Sequence, residues 1–174
     1  MPASDQLIQE DHYQLVPRTL IFLTCAEHVL MVKGAAHKKL WPNLYNGLGG
    51  HVEKGEDIFG AARRELFEES GLVVEALTLA GVITVDTGDN PGVGIFVFRG
   101  DMRVEDHQAM PRIKPSDEGS IEWVPLESVL GLHLVDDLHS LLPVVMDMQT
   151  GDEPFSARYE YDEGGHQKIY CNHG

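Results

Sequence analysis

Residues 50–72 read GHVEKGEDIFGAARRELFEESGL and carry the strongest pattern in the chain. The spacing of apolar residues predicts a helix over Asp57–Ser70. Asp57 is a favoured residue type at a helix start, and Gly71 suits the left-handed position that commonly ends a helix. The predicted helix therefore has both of its ends defined by the sequence, and it follows closely on a Gly49-Gly50 turn.

Three glutamates of this helix occupy positions that belong in part to its apolar side. Glu65, Glu68 and Glu69 are three and four residues apart, so they share one helix surface. On a wheel of roughly 100° per residue, Glu65 and Glu69 fall inside the apolar stripe and Glu68 falls at its edge. The stripe is defined by Ile58, Ala61, Ala62, Leu66 and Leu72. A solvated acidic face would lie opposite the apolar side, so either water in a cleft or a hard divalent cation must compensate the charge.

Arg64 and Glu56 are the other charged candidates in this stretch. Arg64 is either a surface arginine or a guanidinium that reaches back to Glu56 or to one of the helix glutamates and fixes its rotamer. Glu56 is either a first-turn acid favoured by the helix dipole or a member of the same site. Both pairs of alternatives remain open at this point.

The pattern resembles a known family motif. It matches, without a departure, the Nudix box of nucleoside-diphosphate-X hydrolases. The matching positions are Gly50, Glu56, Arg64-Glu65-Leu66, Glu68-Glu69 and Gly71-Leu72. The resemblance implies an α/β/α sandwich with a mixed sheet. It also implies hydrolysis of a pyrophosphate linkage that depends on Mg²⁺, with Mn²⁺ as a substitute.

The same resemblance implies roles for individual residues. The implied metal ligands are Glu65, Glu68, Glu69 and a backbone carbonyl of the glycine turn, at Gly50. Glu56 supports metal binding or catalysis, and Arg64 orients the acids. The general base differs between members of this family. Candidates here are Glu69, Glu118 and Asp117, and outside the helix we favour Glu118.

The remaining elements surround this helix with strands. The predicted strands are Arg18–Cys25, His28–Lys33, Leu72–Val85, Val93–Phe98, Ile121–Pro125, Phe155–Tyr161 and Gln167–Cys171, with a short extended piece at Leu48–Val52. The other predicted helices are Leu126–Gly131 and Asp136–Met148. This order favours an α/β sandwich in one domain spanning residues 1–174, after a polar lead-in at residues 1–15 that is predicted to be partly disordered.

Composition excludes several classes of partner. The chain has 174 residues, of which 28 are acidic and 13 basic, and its net charge of −15 argues against a nucleic-acid polymer. A small phosphorylated substrate remains compatible, because a bound cation reverses the local field. No apolar run approaches the ~20 residues that span a bilayer. The first residues lack the basic start and apolar core of a signal peptide.

The two cysteines bear on the compartment. Cys25 and Cys171 have no metal-binding spacing and suit a reducing compartment, so we predict a cytoplasmic protein without a disulfide. Oligomeric state is left open. The segment Leu138–Met148 is either a core helix or the interface of a homodimer.

Residues outside the box bear on the substrate. Residues 41–50, WPNLYNGLGG, resemble the entry segment of oxidised-purine triphosphate pyrophosphatases, and residues 154–165, PFSARYEYDEGG, resemble their C-terminal hairpin. Trp41 and Tyr45 either stack on a purine or pack within the loop. Lys33 either meets a triphosphate or is solvated, and Asn46 either contacts the base or stabilises a turn.

These features predict a nucleoside triphosphate, either ordinary or oxidised, as the small-molecule substrate. An ADP-ribose or nucleotide-sugar pyrophosphatase is the alternative within the enzyme class. A non-catalytic nucleotide-sensing module on the same fold is the alternative of another class.

Overall fold

The computed structural model describes residues 12–37, 40–74, 76–103, 110–114, 119–149, 151–162, 164 and 167–172. The strands in these ranges are β1 Leu15–Cys25, β2 His28–Gly34, β3 Tyr45–Asn46, β4 Thr78–Val85, β5 Gly92–Met102, β6 Gly119–Pro125, β7 Phe155–Tyr161 and β8 Gln167–Asn172. The helices are α1 Ile58–Ser70, α2 Leu126–Val129 and α3 Leu138–Asp147.

These strands form one mixed sheet. Its order is β3-β2-β1-β5-β4-β7-β8, and β6 pairs with β2. The β1–β5 and β4–β7 pairs are parallel, whereas β2 is antiparallel to each of β1, β3 and β6. β2 meets β1 only at Thr24 and Cys25, and β3 joins it farther along. The chain after β3 lies in the resulting gap, where Leu48 and His51 bridge to β1.

The two faces of the sheet carry separate apolar cores. Side chains alternate along β1, so Leu20 and Phe22 belong to the core of one face and Ile21 and Leu23 to the core of the other. The first core includes Leu138, Leu141, Leu142 and Val145 of α3. The second includes Ala62 and Leu66 of α1. A helix therefore covers each face, and the predicted α/β/α sandwich with a mixed sheet is confirmed.

The strand predicted over Leu72–Val85 is wrong in its first part. β4 begins at Thr78, and the described residues between α1 and Thr78 have no regular structure. Leu72, Val74 and Leu77 are nevertheless buried in the core on the α1 side. A connection that buries alternate apolar residues has the same sequence pattern as a strand, so the pattern could not separate the two.

Other boundaries also differ from the predictions. β1 begins at Leu15 and β5 extends to Met102, because the two strands stay in parallel register along their full lengths. That places Leu15, the last residue of the predicted lead-in, in the sheet. The helix predicted over Leu126–Gly131 ends at Val129, and the one predicted over Asp136–Met148 spans Leu138–Asp147. These are differences of one to four residues at the ends of elements, where assignments are least certain.

Two further findings concern the cysteines and the membrane. Cys25 is buried, Cys171 is exposed, and both thiols are free. Within the described ranges, no helix has the length and apolar character needed to cross a membrane.

Candidate active site

Both ends of α1 are fixed as the sequence predicted. Asp57 Oδ1 accepts hydrogen bonds from the backbone N–H groups of Phe59 and Gly60, each at 2.9 Å. Gly71 ends the helix at φ 76°, and its N–H donates to the Phe67 carbonyl. The helix buries Ala62 and Leu66 against the sheet, and this packing fixes the direction in which its glutamates extend.

The Arg64 guanidinium connects three carboxylates. Nε and Nη2 donate to the two oxygens of Glu56 at 2.9 and 3.0 Å. Nη1 donates to Glu65 Oε1 at 2.9 Å and to Glu68 Oε2 at 3.1 Å, and Nη2 also donates to the His51 carbonyl at 3.0 Å. Arg64 thus contacts Glu56 and also two of the helix glutamates.

This pairing perturbs both partners in the direction expected of a charge-assisted contact. The hydrogen bonds from Arg64 hold the pKa of Glu56 below its usual range. The hydrogen bonds to Glu56 raise the pKa of Arg64. Both groups therefore stay charged near neutral pH, and the bidentate geometry restrains their rotamers.

Glu65 and Glu69 meet the Gly49-Gly50 turn. Glu69 Oε2 accepts from the Gly49 N–H at 2.9 Å. The Glu65 carboxylate lies against Gly50, where an added Cβ would be 2.6 Å from Glu65 Cδ. The turn is held on β1, because the Gly50 carbonyl accepts from the Thr19 N–H at 2.8 Å. Glycine is needed at position 50, because any side chain there would overlap the Glu65 carboxylate.

The donor set suits a hard divalent cation. It consists of oxygens, from carboxylates and the backbone at the glycine turn, which are the ligands that Mg²⁺ prefers. Three carboxylates contact the single Arg64 guanidinium and Glu69 is a fourth at the glycine turn, so an excess of negative charge remains to be neutralised. No three acidic, histidine or cysteine side chains of the described residues enclose an ion as they stand. In this arrangement, Glu65 and Glu68 accept hydrogen bonds from Arg64 Nη1, and Glu69 accepts one from the Gly49 N–H.

The residues predicted outside the box divide into four groups. Lys33 and Tyr45 are brought together, with Lys33 Nζ 5.4 Å from the centre of the Tyr45 ring. Asn46 makes a local contact, in which its Oδ1 accepts from the Gly47 N–H at 2.8 Å. Trp41 has an exposed side chain. Glu118 and its alternative Asp117 lie outside the described residues.

Two acids near this entry segment were missed by the sequence reading. Glu122 of β6 accepts from the Tyr45 hydroxyl at 2.6 Å, and that hydrogen bond raises the pKa of Tyr45. Asp137 directly precedes α3, and burial raises its pKa. The segment before Asp137 lies beside β3, because the Val135 N–H donates to the Tyr45 carbonyl at 3.0 Å. A buried acid at such a position is a candidate ligand contact.

No simple sequence signal distinguished Asp137. The pair Asp136-Asp137 reads as an ordinary acidic helix start. In the structure Asp137 lies near β7, because burial and then the charge of Asp137 raise the pKa of Tyr159 and of Tyr161.

We expect Asp137→Asn to raise the Tm at neutral pH. A raised pKa means that the folded protein holds the Asp137 proton more tightly than the unfolded chain does. Ionisation therefore opposes folding once the pH exceeds the unfolded-state pKa of about 3.9, and the full cost is reached above the folded-state pKa. Thermal melts should show wild type and variant converging near about pH 3 and separating as pH rises. Asp89→Asn, at an exposed aspartate outside α3, serves as the control and should leave the Tm unchanged. A lower Tm for Asp137→Asn at pH 7 would contradict the assignment.

Comparisons with known proteins identify the family of the chain. A profile of the NUDIX domain matches residues 14–145. The chain is 33% identical over 112 residues to an oxidized purine nucleoside triphosphate hydrolase of Danio rerio, covering 64% of this chain and 67% of that protein. It is 34% identical over 84 residues to the protein of the same description in Mus musculus, covering 48% of this chain and 53% of that protein. The chain thus aligns with about half of the mouse protein.

Solved structures show the same fold. The MutT protein from Bacillus halodurans superposes with a TM-score of 0.73 at 21% identity, covering 91% of this chain and 98% of that one. The NUDIX domain of Shewanella oneidensis NrtR, crystallised with ADP ribose, superposes with a TM-score of 0.64 at 16% identity, covering 84% and 98%.

The chain belongs to the Nudix family. It is a Nudix hydrolase, an enzyme that acts on small nucleotide derivatives, and members of this family generally use a divalent metal ion.

Proposed function

We propose that this enzyme hydrolyses an oxidised purine nucleoside triphosphate to the monophosphate and pyrophosphate, with Mg²⁺ as cofactor and Mn²⁺ as a substitute. The observation that carries the proposal is the carboxylate cluster, which consists of Glu56, Glu65, Glu68 and Glu69. Within it, Glu65 and Glu69 meet the Gly49-Gly50 turn. The substrate is supported by the relatives from Danio rerio and Mus musculus, which are oxidized purine nucleoside triphosphate hydrolases.

The cation would be held by carboxylates of α1 and by the turn. The proposed ligands are Glu65, Glu68, Glu69 and the carbonyl of Gly50. A bound divalent cation neutralises phosphate charge and lowers the pKa of water at the site. Arg64 and Glu56 act as positioning residues, because their bidentate pair restrains the guanidinium that orients Glu65 and Glu68. The candidates for the general base remain Glu69, Glu118 and Asp117, and Glu118 is preferred to Asp117.

The nucleoside would bind on the opposite face of the sheet. Tyr45 offers a half-buried ring for stacking on a purine, a contact worth about 1–3 kcal/mol per base in single-strand binders. Asn46 uses its Oδ1 locally, which leaves its Nδ2 donors for the base. Asp137, beside the same strand, adds a buried carboxyl. Lys33 and the exposed Trp41 complete the proposed substrate contacts.

Several predictions about the whole protein are retained as parts of the proposal. We propose one domain over residues 1–174, supported by the participation of β7 and β8 in the same sheet as β1. A cytoplasmic location, the lack of a nucleic-acid polymer or membrane partner, and a homodimer as the candidate assembly remain predictions from the sequence.

A substrate panel tests this proposal. Purified protein with Mg²⁺ would be offered 8-oxo-dGTP, the ordinary dNTPs, ADP-ribose and diadenosine polyphosphates, with phosphorus NMR to identify products. We expect the highest kcat/KM with 8-oxo-dGTP, yielding monophosphate and pyrophosphate. A clear preference for ADP-ribose would contradict the substrate class. No turnover of any compound with Mg²⁺ or Mn²⁺ would contradict the reaction and favour a nucleotide-sensing role.

A further inference from the structure

Arg18 of β1 is a charged residue that neither the fold nor the carboxylate cluster uses. Its Nε is buried and has no hydrogen-bond partner. Within the part of the chain that the structure describes, no hydrogen bond or ion pair reaches its guanidinium. Arg64, Arg99 and Arg158, by contrast, each donate to carboxylate or carbonyl oxygens. A buried donor without an acceptor lowers stability, so Arg18 is poorly explained by a role in folding.

The register of the sheet fixes where Arg18 lies. Residues two apart on a strand share a face, so Arg18 is on the side of Leu20, which belongs to the α3-side core. Its neighbours across the sheet are Ile95 of β5 and His51 of the segment after the glycine turn. Tyr45 also packs against this core, so Arg18 and the proposed nucleoside contacts share one face.

Arg18 and Ile95 lie at a different level of the sheet from the C-terminal end of α3. The C-terminal end of α3 lies over Arg99, whose Nη1 donates to the carbonyls of Val145 and Met146 at 3.3 and 3.2 Å. Arg99 pairs in register with Phe22, which lies two residues beyond Leu20 on β1. Arg18 and Ile95, farther back along the two strands, are only half-buried. This half-buried part of the face is apolar on β5, at Ile95, and cationic on β1, at Arg18.

The backbone of His51 contacts both Arg18 and Arg64, and Arg64 contacts the carboxylate cluster. His51 bridges to Arg18 on one side, and its carbonyl accepts from Arg64 Nη2 on the other. A substrate that extends from Tyr45 along this segment to the cluster would bring the group that joins its nucleoside to its phosphates near Arg18. That group carries non-bridging phosphate oxygens, which match the planar donor fork of a guanidinium.

We propose that Arg18 is a substrate-binding residue whose guanidinium donates to the α-phosphate of the nucleotide. The proposal rests on the proposed function for the identity of the nucleotide. The phosphate supplies an acceptor that the described residues do not, and the guanidinium supplies positive charge on a chain with a net charge of −15. Arg18 therefore contributes to affinity for phosphorylated ligands and leaves affinity for the free nucleoside unchanged.

Equilibrium binding separates this role from a structural one. Calorimetry with Mg²⁺ present would compare 8-oxo-dGMP with 8-oxo-deoxyguanosine, on wild type, Arg18→Met and Arg18→Lys. We expect Arg18→Met to raise the Kd of the monophosphate by roughly 10- to 100-fold, the range of a hydrogen bond to a charged group, with the nucleoside Kd unchanged. Arg18→Lys should recover part of the loss. The Tm of Arg18→Met should equal or exceed that of wild type, because an unpartnered buried donor is removed.

Arg158→Met is the matched control. Arg158 lies on β7, pairs with Glu160 and has a largely exposed side chain, so its loss should leave both Kd values unchanged. An unchanged monophosphate Kd in Arg18→Met would overturn the proposal. Equal weakening of both ligands, or a wild type that does not prefer the monophosphate, would also overturn it. These measurements require no turnover, so they fail or succeed independently of the substrate panel.

Discussion

Glu69→Gln is expected to lower kcat by on the order of 100-fold or more while the protein stays folded. The glutamine oxygen can still accept from the Gly49 N–H, so the contact that joins α1 to the glycine turn is retained. What disappears is the negative charge, which a hard cation needs in its carboxylate ligands. Steady-state kinetics with Mg²⁺ and a thermal melt on the same preparation would measure both effects.

Glu127→Gln provides the control for this variant. Glu127 is an exposed glutamate in the first turn of α2, away from the cluster, so the same chemical change there should leave kcat unaltered. Unchanged turnover in Glu69→Gln would remove Glu69 from the metal site.

Gly50→Ala should lower kcat/KM by about 100-fold with little change in Tm, because a displacement of about 1 Å at a reacting centre can have that effect. The methyl group would overlap the Glu65 carboxylate, with Glu65 Cδ 2.6 Å away. That carboxylate is the end of a flexible side chain, so it can move aside at small cost to folding. Once moved, it no longer lies at the turn or on Arg64 Nη1.

Two other glycines separate loss of activity from loss of fold. Gly94→Ala adds a methyl at an ordinary contact distance of 3.4 Å from a Leu15 side-chain carbon, so it should change neither kcat/KM nor Tm appreciably. Gly49→Ala should lower the Tm, because Gly49 has φ +138° and a Cβ there would overlap the backbone carbonyl of Thr19. Full activity in Gly50→Ala would contradict the prediction, because catalysis would then not depend on the position of Glu65 at the turn.

The parts of the fold that local chemistry determines were predictable. Asp57 and Gly71 set the ends of α1 through their own side-chain and backbone preferences, and both were predicted correctly. The placement of Glu65 and Glu69 towards the protein followed from helix periodicity alone. The sandwich followed from the order of the elements.

The parts that depend on distant segments were not predictable from the pattern. Leu72, Val74 and Leu77 are buried in the core but do not belong to a strand. Whether such a segment joins the sheet depends on how distant strands pack, which the local pattern does not show. The sequence left two interpretations of Arg64 open, a surface arginine or a guanidinium bonded to nearby acids. The structure has the second, because the chain before α1 places Glu56 and the His51 carbonyl within hydrogen-bonding distance. The burial of Asp137 and of Arg18 Nε likewise arises from neighbours far away in the sequence.

The central claim is that the carboxylates of α1 at the glycine turn bind the divalent cation on which hydrolysis depends. An electron paramagnetic resonance titration of Mn²⁺ against wild type and Glu69→Gln tests it most directly, since free Mn²⁺ is observed without reference to any substrate. We expect wild type to bind Mn²⁺, Mg²⁺ to displace it, and Glu69→Gln to raise the Kd by at least about 10-fold. Equal Mn²⁺ affinity in the two proteins, or no binding by wild type, would contradict the claim.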